Sequence, residues 1–212
     1  MQSFKISEGS IIADRLITAI QSEKQYLSDI DGAIGDGDHG INMNKGFTMC
    51  REALDREPGD LVHSFNTLSK ILMMKIGGSM GPLYGKFFKA LAGSYESKTE
   101  IGTEDFLVSL ETVMEEIGKI SSAKPGDKTL IDTLAPAVNA FRKALDEGRS
   151  FNESLDMMTE AARRGRDSTK EMVARIGRAS RLGERSRGVI DPGAASCCII
   201  LESMASSIKL LL

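Results

Sequence analysis

The chain has little of what would place it in an easily recognised class. Its three cysteines, Cys50, Cys197 and Cys198, have neither zinc-ligand spacing nor a disulfide framework, a usage that fits a reducing cytoplasm. Basic residues are not in excess: 27 Lys and Arg stand against 30 Asp and Glu, a formal charge of −3. No basic stripe with interleaved aromatics occurs, so the electrostatic footprint of a nucleic-acid binder is missing. No apolar run of membrane-spanning length is read, and Met1–Gly9 lacks the apolar core of a signal peptide. Neither a membrane nor a secretory route is therefore expected. Strand signals are nearly absent, and no linker or low-complexity stretch divides the chain. At 212 residues, 41% hydrophobic and 27% charged, the composition is that of a soluble globular protein able to bury a core.

Helical periodicity fills almost everything that remains. Ile12, Leu16, Ile20, Leu27 and Ile30 put an apolar face on Ser7–Ile30, and Met43, Phe47, Cys50 and Leu54 continue the pattern. Asp60 is the expected N-cap for a stripe of Leu61, Phe65, Leu68, Leu72 and Ile76. A short helix with Leu83, Phe87, Ala90 and Leu91 follows. Thr103, with Glu104 and Asp105 in the first turn, caps one carrying Phe106, Leu110, Val113, Met114 and Ile117. Leu130, Leu134, Val138, Phe141 and Leu145 predict a helix that Pro136 kinks without ending. Ser150 or Asn152 opens the next, running through Met172 and Val173 with a weak point at Gly165. The last, Ala194–Leu212, is apolar nearly all round, which predicts a central position. The expectation is one all-α domain over 1–212, with about eight helices and short loops favouring antiparallel neighbours.

The chemistry concentrates in Asp31–Asn44, DGAIGDGDHGINMN. Three carboxylates, Asp31, Asp36 and Asp38, lie among four glycines, one of the chain's two histidines and two asparagines. Neighbouring carboxylates repel unless a cation neutralises them, and a hard divalent ion with oxygen ligands meets that need. An EF-hand fails, because Gly40 stands where a third ligand belongs and Phe47 where the closing Glu should be. A Mg²⁺ loop remains, and Mg²⁺ usually shares one or two carboxylates with substrate phosphates.

Three further glycine-rich or polar loops follow, Gly77–Gly85 (GGSMGPLYG), Ser121–Thr129 (SSAKPGDKT) and Gly177–Gly193 (GRASRLGERSRGVIDPG). They succeed alternate helices, so an antiparallel bundle would gather all four at one end. There backbone N–H groups and helix N-termini suit phosphate, and Arg178, Arg181, Arg185 and Arg187 supply guanidinium groups. No P-loop explains them: Gly85-Lys86 is followed by Phe87, and Gly81 lies one residue too close. His63, on a helix flank, reads as a boundary residue without a chemical role.

Together DGAIGDGDHGINMNKGF, GGSMGPLYG, PGDKT, GRASRLGERS and DPGA resemble the nucleotide-binding (L) subunit of the bacterial dihydroxyacetone kinases, from the first helix to the last. The resemblance implies an antiparallel barrel or bundle of eight helices, with ADP or ATP tightly bound and two Mg²⁺ ions at one end. It implies Asp31, Asp36 and Asp38 as metal ligands. His39, Gly40, Ile41 and Asn42, then Ser79 and Met80, are the implied nucleotide contacts. Ser121, Leu130, Arg178, Asp191, Pro192 and Gly193 complete the implied pocket, with Arg178 stabilising phosphate charge. An L-type chain without a substrate or carrier domain further resembles the phosphotransferase-system version. In that version a phosphohistidine on the carrier (M) subunit phosphorylates bound ADP, and the γ-phosphoryl group passes to dihydroxyacetone held on the K subunit. The implied partners are K and M; a homodimer through the apolar last helix is open. The alternatives are the L half of an ATP-dependent kinase for another ketose or a fatty acid, and a metal-stabilised regulatory module without catalysis.

Overall fold

The computed structural model of the chain describes residues 2–212. Among them are nine α-helices: α1 (Ser10–Ser22), α2 (Lys24–Ile34), α3 (His39–Arg56), α4 (Leu61–Lys75), α5 (Met80–Tyr95), α6 (Thr103–Gly118), α7 (Ile131–Asp146), α8 (Phe151–Ser168) and α9 (Pro192–Leu211). From α3 to α9 each helix packs on its chain neighbour, and α1 packs on both α3 and α9. The apolar stripes read from the sequence face one continuous core. Phe47, Phe65, Phe87, Phe88 and Tyr95 meet edge-on or tilted in one half, and Phe106, Phe141 and Phe151 in the other. Such ring pairs add to area burial through their quadrupoles.

The predicted helix over Ser7–Ile30 is two helices, broken at Glu23 (φ −95°, ψ 10°) after a 3-10 turn at Ile6–Glu8. The stripe survives the break because Ile20 and Leu27 are both buried, so periodicity alone carried no sign of it. A two-stranded antiparallel pair, β1 (Ser3–Lys5) with β2 (Glu100–Gly102), was also illegible. Each strand is three residues long and buries one side chain, Phe4 or Ile101, too little for alternation to register. Helix α6 starts at Thr103 with Gly102 as its N-cap; the Asp105 carboxylate accepts the Gly102 N–H at 3.0 Å. Ser150, not Asn152, opens α8. Its hydroxyl accepts the Glu153 N–H at 3.3 Å while Glu153 accepts the Ser150 N–H at 2.9 Å. Met172 and Val173 lie beyond α8, which gives way to a 3-10 turn at Thr169–Glu171.

Two sequence expectations change meaning. Gly165 is no weak point: it is the closest approach of α8 to α7, where an added Cβ would strike the Asp132 carbonyl and come within 2.9 Å of Pro136 Cγ. Pro136 has no N–H for the carbonyl four residues back, which is that of Asp132, so the glycine packs where the ladder of α7 is interrupted. The last helix, in turn, does have the length and apolarity to cross a bilayer, with 20 residues and mean hydropathy 1.5 in its most apolar window. It is instead a core element, with 61% of that window buried. Its two charged side chains, Glu202 and Lys209, pair with Arg163 and Asp156 of α8. Cys197 and Cys198 are small core residues on it.

Gly165→Ala should therefore cost about 1–3 kcal/mol of stability through overpacking. Its melting temperature should fall by several degrees, at ~2–4 °C per kcal/mol for a chain of this size. Thermal unfolding followed by circular dichroism checks this; an unchanged midpoint contradicts the close approach.

Candidate functional site

The acidic stretch is mostly helix. Asp31 lies in the last turn of α2 and Asp38 immediately precedes α3, leaving Gly35–Asp38 as the connection. Gly37 takes φ +75°, a left-handed conformation that favours glycine. A Cβ at Gly35 would lie 2.5 Å from Asp31 Oδ1, so the Asp31 carboxylate holds its place only beside glycine. This tight reversal folds Asp31 back onto the start of α3, where its carboxylate accepts the His39 N–H at 3.1 Å. One carboxylate oxygen from each of Asp31, Asp36 and Asp38 then lies within 4.8 Å of the others.

Facing them is Arg178, at the start of the 3-10 segment Arg178–Ser186. Its guanidinium pairs with Asp36 and comes to 3.9 Å from Asp38. A cationic group thus sits where three converging carboxylates require positive charge. The all-oxygen donor set is the one Mg²⁺ prefers, so the residues fit that ion.

The acidic turn forms one wall of a cavity of about 260 Å³. All four loops contribute: Asp31, Asp36, Asp38 and His39 from the first, Ser79 and Met80 from the second, Ser121 and Leu130 from the third, Arg178, Asp191, Pro192 and Gly193 from the fourth. The first residues of four helices, α3, α5, α7 and α9, lie in its lining. The positive ends of their dipoles make the cavity attractive to anions, phosphate above all. Gly81 and Gly85, read as loop, belong to α5; a Cβ at Gly85 would lie 2.8 Å from that of Met73, so glycine there permits α5 to lie on α4.

Gly40, Ile41 and Asn42 do not line the cavity. Gly40 packs against the Lys24 carbonyl and Ser28 of α2, Ile41 is 53% exposed, and the Asn42 N–H bonds the Asp38 carbonyl at 2.8 Å. All three form the first turn of α3, turned away from the cavity by helical geometry. His63 is likewise remote, its ring bonded to the Glu57 carbonyl at 2.9 Å.

Sequence reading missed several residues that hold the site. Asp132 is buried and accepts the N–H groups of Gly126 (2.5 Å) and Thr129 (2.7 Å), ordering the third loop. Lys128 follows in the left-handed region at φ +63°. Its ammonium is buried and donates to the carbonyls of Thr169 (2.6 Å) and Val189 (2.5 Å), tying the third loop to the 3-10 turn after α8 and to the fourth loop. Burial pulls its pKa down, while the charge of Asp191 opposes that shift. Asp191 accepts the Ala194 N–H at 2.7 Å as N-cap of α9; burial raises its pKa to about 7 against the pull of that bond and of Lys128. The motif PGDKT carried a signal for this loop, but nothing adjacent in sequence showed what Lys128 would reach.

His39 is 6% exposed, its ring bonded to Ser196, and burial lowers its pKa to about 4.

Residues 33–206 match the DAK2 domain. The chain is 40% identical, over 87% of its length and 88% of the relative's, to the PEP-dependent dihydroxyacetone kinase 1, ADP-binding subunit DhaL, of Listeria innocua. It is 35% identical to the PEP-dependent dihydroxyacetone kinase, ADP-binding subunit DhaL, of Escherichia coli, over 89% of this chain and 90% of that one. Its fold is similar to the crystal structure of the dihydroxyacetone kinase of C. freundii, with a TM-score of 0.72 and 23% identity; the match covers 96% of this chain and 35% of that one. The same enzyme in complex with AMP-PNP and Mg²⁺ matches with a TM-score of 0.67.

The depressed pKa of His39 has a signed consequence. The folded state binds fewer protons than the unfolded state between pH 6.5 and about 4. This contribution to stability is therefore present above 6.5 and lost as pH falls through that window. Asp191, whose raised pKa lets the folded state take up a proton over the same range, acts in the opposite sense, so the His39 contribution is read as a difference: between pH 6.5 and 4, His39→Gln should lose less melting temperature, or gain more, than the unaltered nucleotide-free protein. Parallel slopes in a pH series of thermal melts contradict the burial of a neutral ring.

Proposed function

The chain belongs to the DAK2 domain family, and from that premise we propose that it is the ADP-binding subunit of a phosphoenolpyruvate-dependent dihydroxyacetone kinase, a phosphotransferase. In this reading residues 1–212 form a single L-type domain that holds ADP tightly. A phosphohistidine on an M-type carrier charges the nucleotide, and the γ-phosphoryl group goes to dihydroxyacetone held by a K-type subunit. The observation that carries the reading is the coincidence, at one cavity, of three converging carboxylates with the starts of four helices. One feature calls for divalent cation, the other for phosphate, and a metal–nucleotide complex satisfies both. Relatives 35–40% identical that are named ADP-binding subunits, and a fold neighbour in complex with AMP-PNP and Mg²⁺, support it.

Asp31, Asp36 and Asp38 would hold two Mg²⁺ ions, which supply charge neutralisation across the phosphates when bound. Arg178, released from Asp36, adds a guanidinium for phosphate oxygens. Ser79, Met80, Ser121, Leu130, Asp191, Pro192 and Gly193 shape the nucleotide pocket with His39. No general base is needed when the donor is a phosphohistidine.

Partner docking at the cavity mouth follows from the proposed transfer itself, since donor and acceptor must both reach the nucleotide. Of eight large apolar side chains exposed among the described residues, one, Ile176, lies in the cavity lining. The cytoplasm, where phosphotransferase carriers work, is the proposed compartment.

Asp36→Ala should abolish ADP retention and phosphoryl transfer while leaving helical content unchanged. Co-purification of stoichiometric ADP with that variant, read by mass spectrometry, overturns the metal assignment. The donor is tested by turnover: a phosphorylated carrier should sustain transfer to dihydroxyacetone. Rapid multiple turnover with free ATP and none with carrier would instead establish an ATP-dependent kinase half.

A further inference from the structure

Beneath the cavity, three buried polar side chains from three helices meet. His39 Nε2 of α3 lies 2.9 Å from Ser196 Oγ of α9, and Ser196 Oγ lies 2.6 Å from the Tyr84 hydroxyl of α5. Both hydroxyls also reach the Gly193 carbonyl in the first turn of α9, Tyr84 at 3.3 Å and Ser196 at 3.2 Å. Burial holds the Tyr84 pKa far above its ordinary value, so the phenol remains a donor. Tyr84 is otherwise packed as a core residue, against Phe87 with ring centroids 6.3 Å apart.

Phenylalanine and alanine would fill these two positions without burying hydroxyl groups, and a buried hydroxyl loses its bonds to water. What the hydroxyls add is direction. They fix the relative placement of three helix starts, and a fully satisfied buried network specifies one arrangement where apolar packing tolerates several. His39, Tyr84 and Gly193 also line the cavity, so the network ends on its surface. The second ring nitrogen of His39 makes no hydrogen bond within the chain and is not among the sealed, unpartnered polar atoms.

We propose that Tyr84 and Ser196 are positioning residues for the nucleotide, holding the His39 imidazole and the Gly193 carbonyl so that the starts of α3, α5 and α9 keep the spacing the ligand requires. Neither residue carries a charge or reaches the metal-binding carboxylates; each acts through His39 and Gly193. The inference rests on the nucleotide-binding reading above and adds to it the residues that set pocket geometry from below.

The test measures dissociation of ADP, in the presence of Mg²⁺, from the full chain and from Tyr84→Phe, Ser196→Ala and Tyr95→Phe, well below their melting temperatures. Tyr95→Phe is the control: Tyr95 is equally buried, and its hydroxyl bonds Ser109 at 2.8 Å, but it lines no part of the cavity. Tyr84→Phe and Ser196→Ala should speed ADP release about tenfold or more, the scale of a lost buried hydrogen bond. Tyr95→Phe should lose comparable thermal stability and stay within about twofold of the unaltered chain in release. Release unchanged in Tyr84→Phe, or raised as much in Tyr95→Phe, overturns the positioning role while ADP binding by the unaltered chain stands. If Ser196→Ala does not fold, the near-isosteric Tyr84→Phe decides alone. An unaltered chain that binds no ADP overturns the functional reading itself, and this inference with it.

Discussion

Three carboxylates held within 4.8 Å of one another are the constraint around which this molecule is arranged. Like charges at that separation resist being brought together, and the resistance grows as water is displaced. Two glycines make the approach possible: Gly35 leaves room for Asp31, and Gly37 turns the chain through a conformation that other residues rarely take. The repulsion is then met from two sides. The Asp31 carboxylate accepts the first N–H of α3, and Arg178 arrives from a segment some 140 residues later in the chain. An arginine and a divalent ion satisfy the same carboxylates, so the pairing with Arg178 is compatible with the metal site proposed above.

The surroundings of that cluster are built from buried polar groups. Asp132 gathers two amides of the third loop, Lys128 bridges to the 3-10 turn after α8 and to the fourth loop, Asp191 caps α9, and His39 with Ser196 and Tyr84 joins three helix starts. Each would be costly alone in an apolar interior; each is satisfied by hydrogen bonds that the folded chain supplies. The far half of the molecule shows the opposite character, with Phe106, Phe141 and Phe151 packed on one another. Stability thus resides in the aromatic and aliphatic core, and the polar end is reserved for holding loops at fixed distances.

Much of this was legible in the sequence. Stripes such as Leu61, Phe65, Leu68 and Leu72 are buried as their spacing required, because a helix in water must hide one face. The acidic turn was readable because three carboxylates so close in a glycine-rich stretch need a cation among them. Boundaries were less so. The break at Glu23 leaves the stripe intact, and the strands at Phe4 and Ile101 are too short to alternate. Gly165 read as a flaw in α8, because its reason lies on α7, where Pro136 leaves a carbonyl without its helical partner. The apolarity of α9 was visible, but only its burial and its ion pairs with Arg163 and Asp156 distinguish it from a span.

Local chemistry, then, was determined by the sequence alone: helix periodicity, caps, the turn that brings Asp36 and Asp38 beside Asp31, and the supply of arginines. These depend on residues a few positions apart, whose mutual geometry the backbone dictates. Tertiary structure decided which of the candidate residues face one another. It brought Asp191, Arg178 and Ser79 to the same cavity as Asp31, turned Gly40, Ile41 and Asn42 away, and recruited Ser196, outside every motif, with Lys128 and Tyr84, which lay within PGDKT and GGSMGPLYG without an assigned role. Those outcomes depend on contacts between residues up to 157 positions apart, set by how nine helices pack among the described residues.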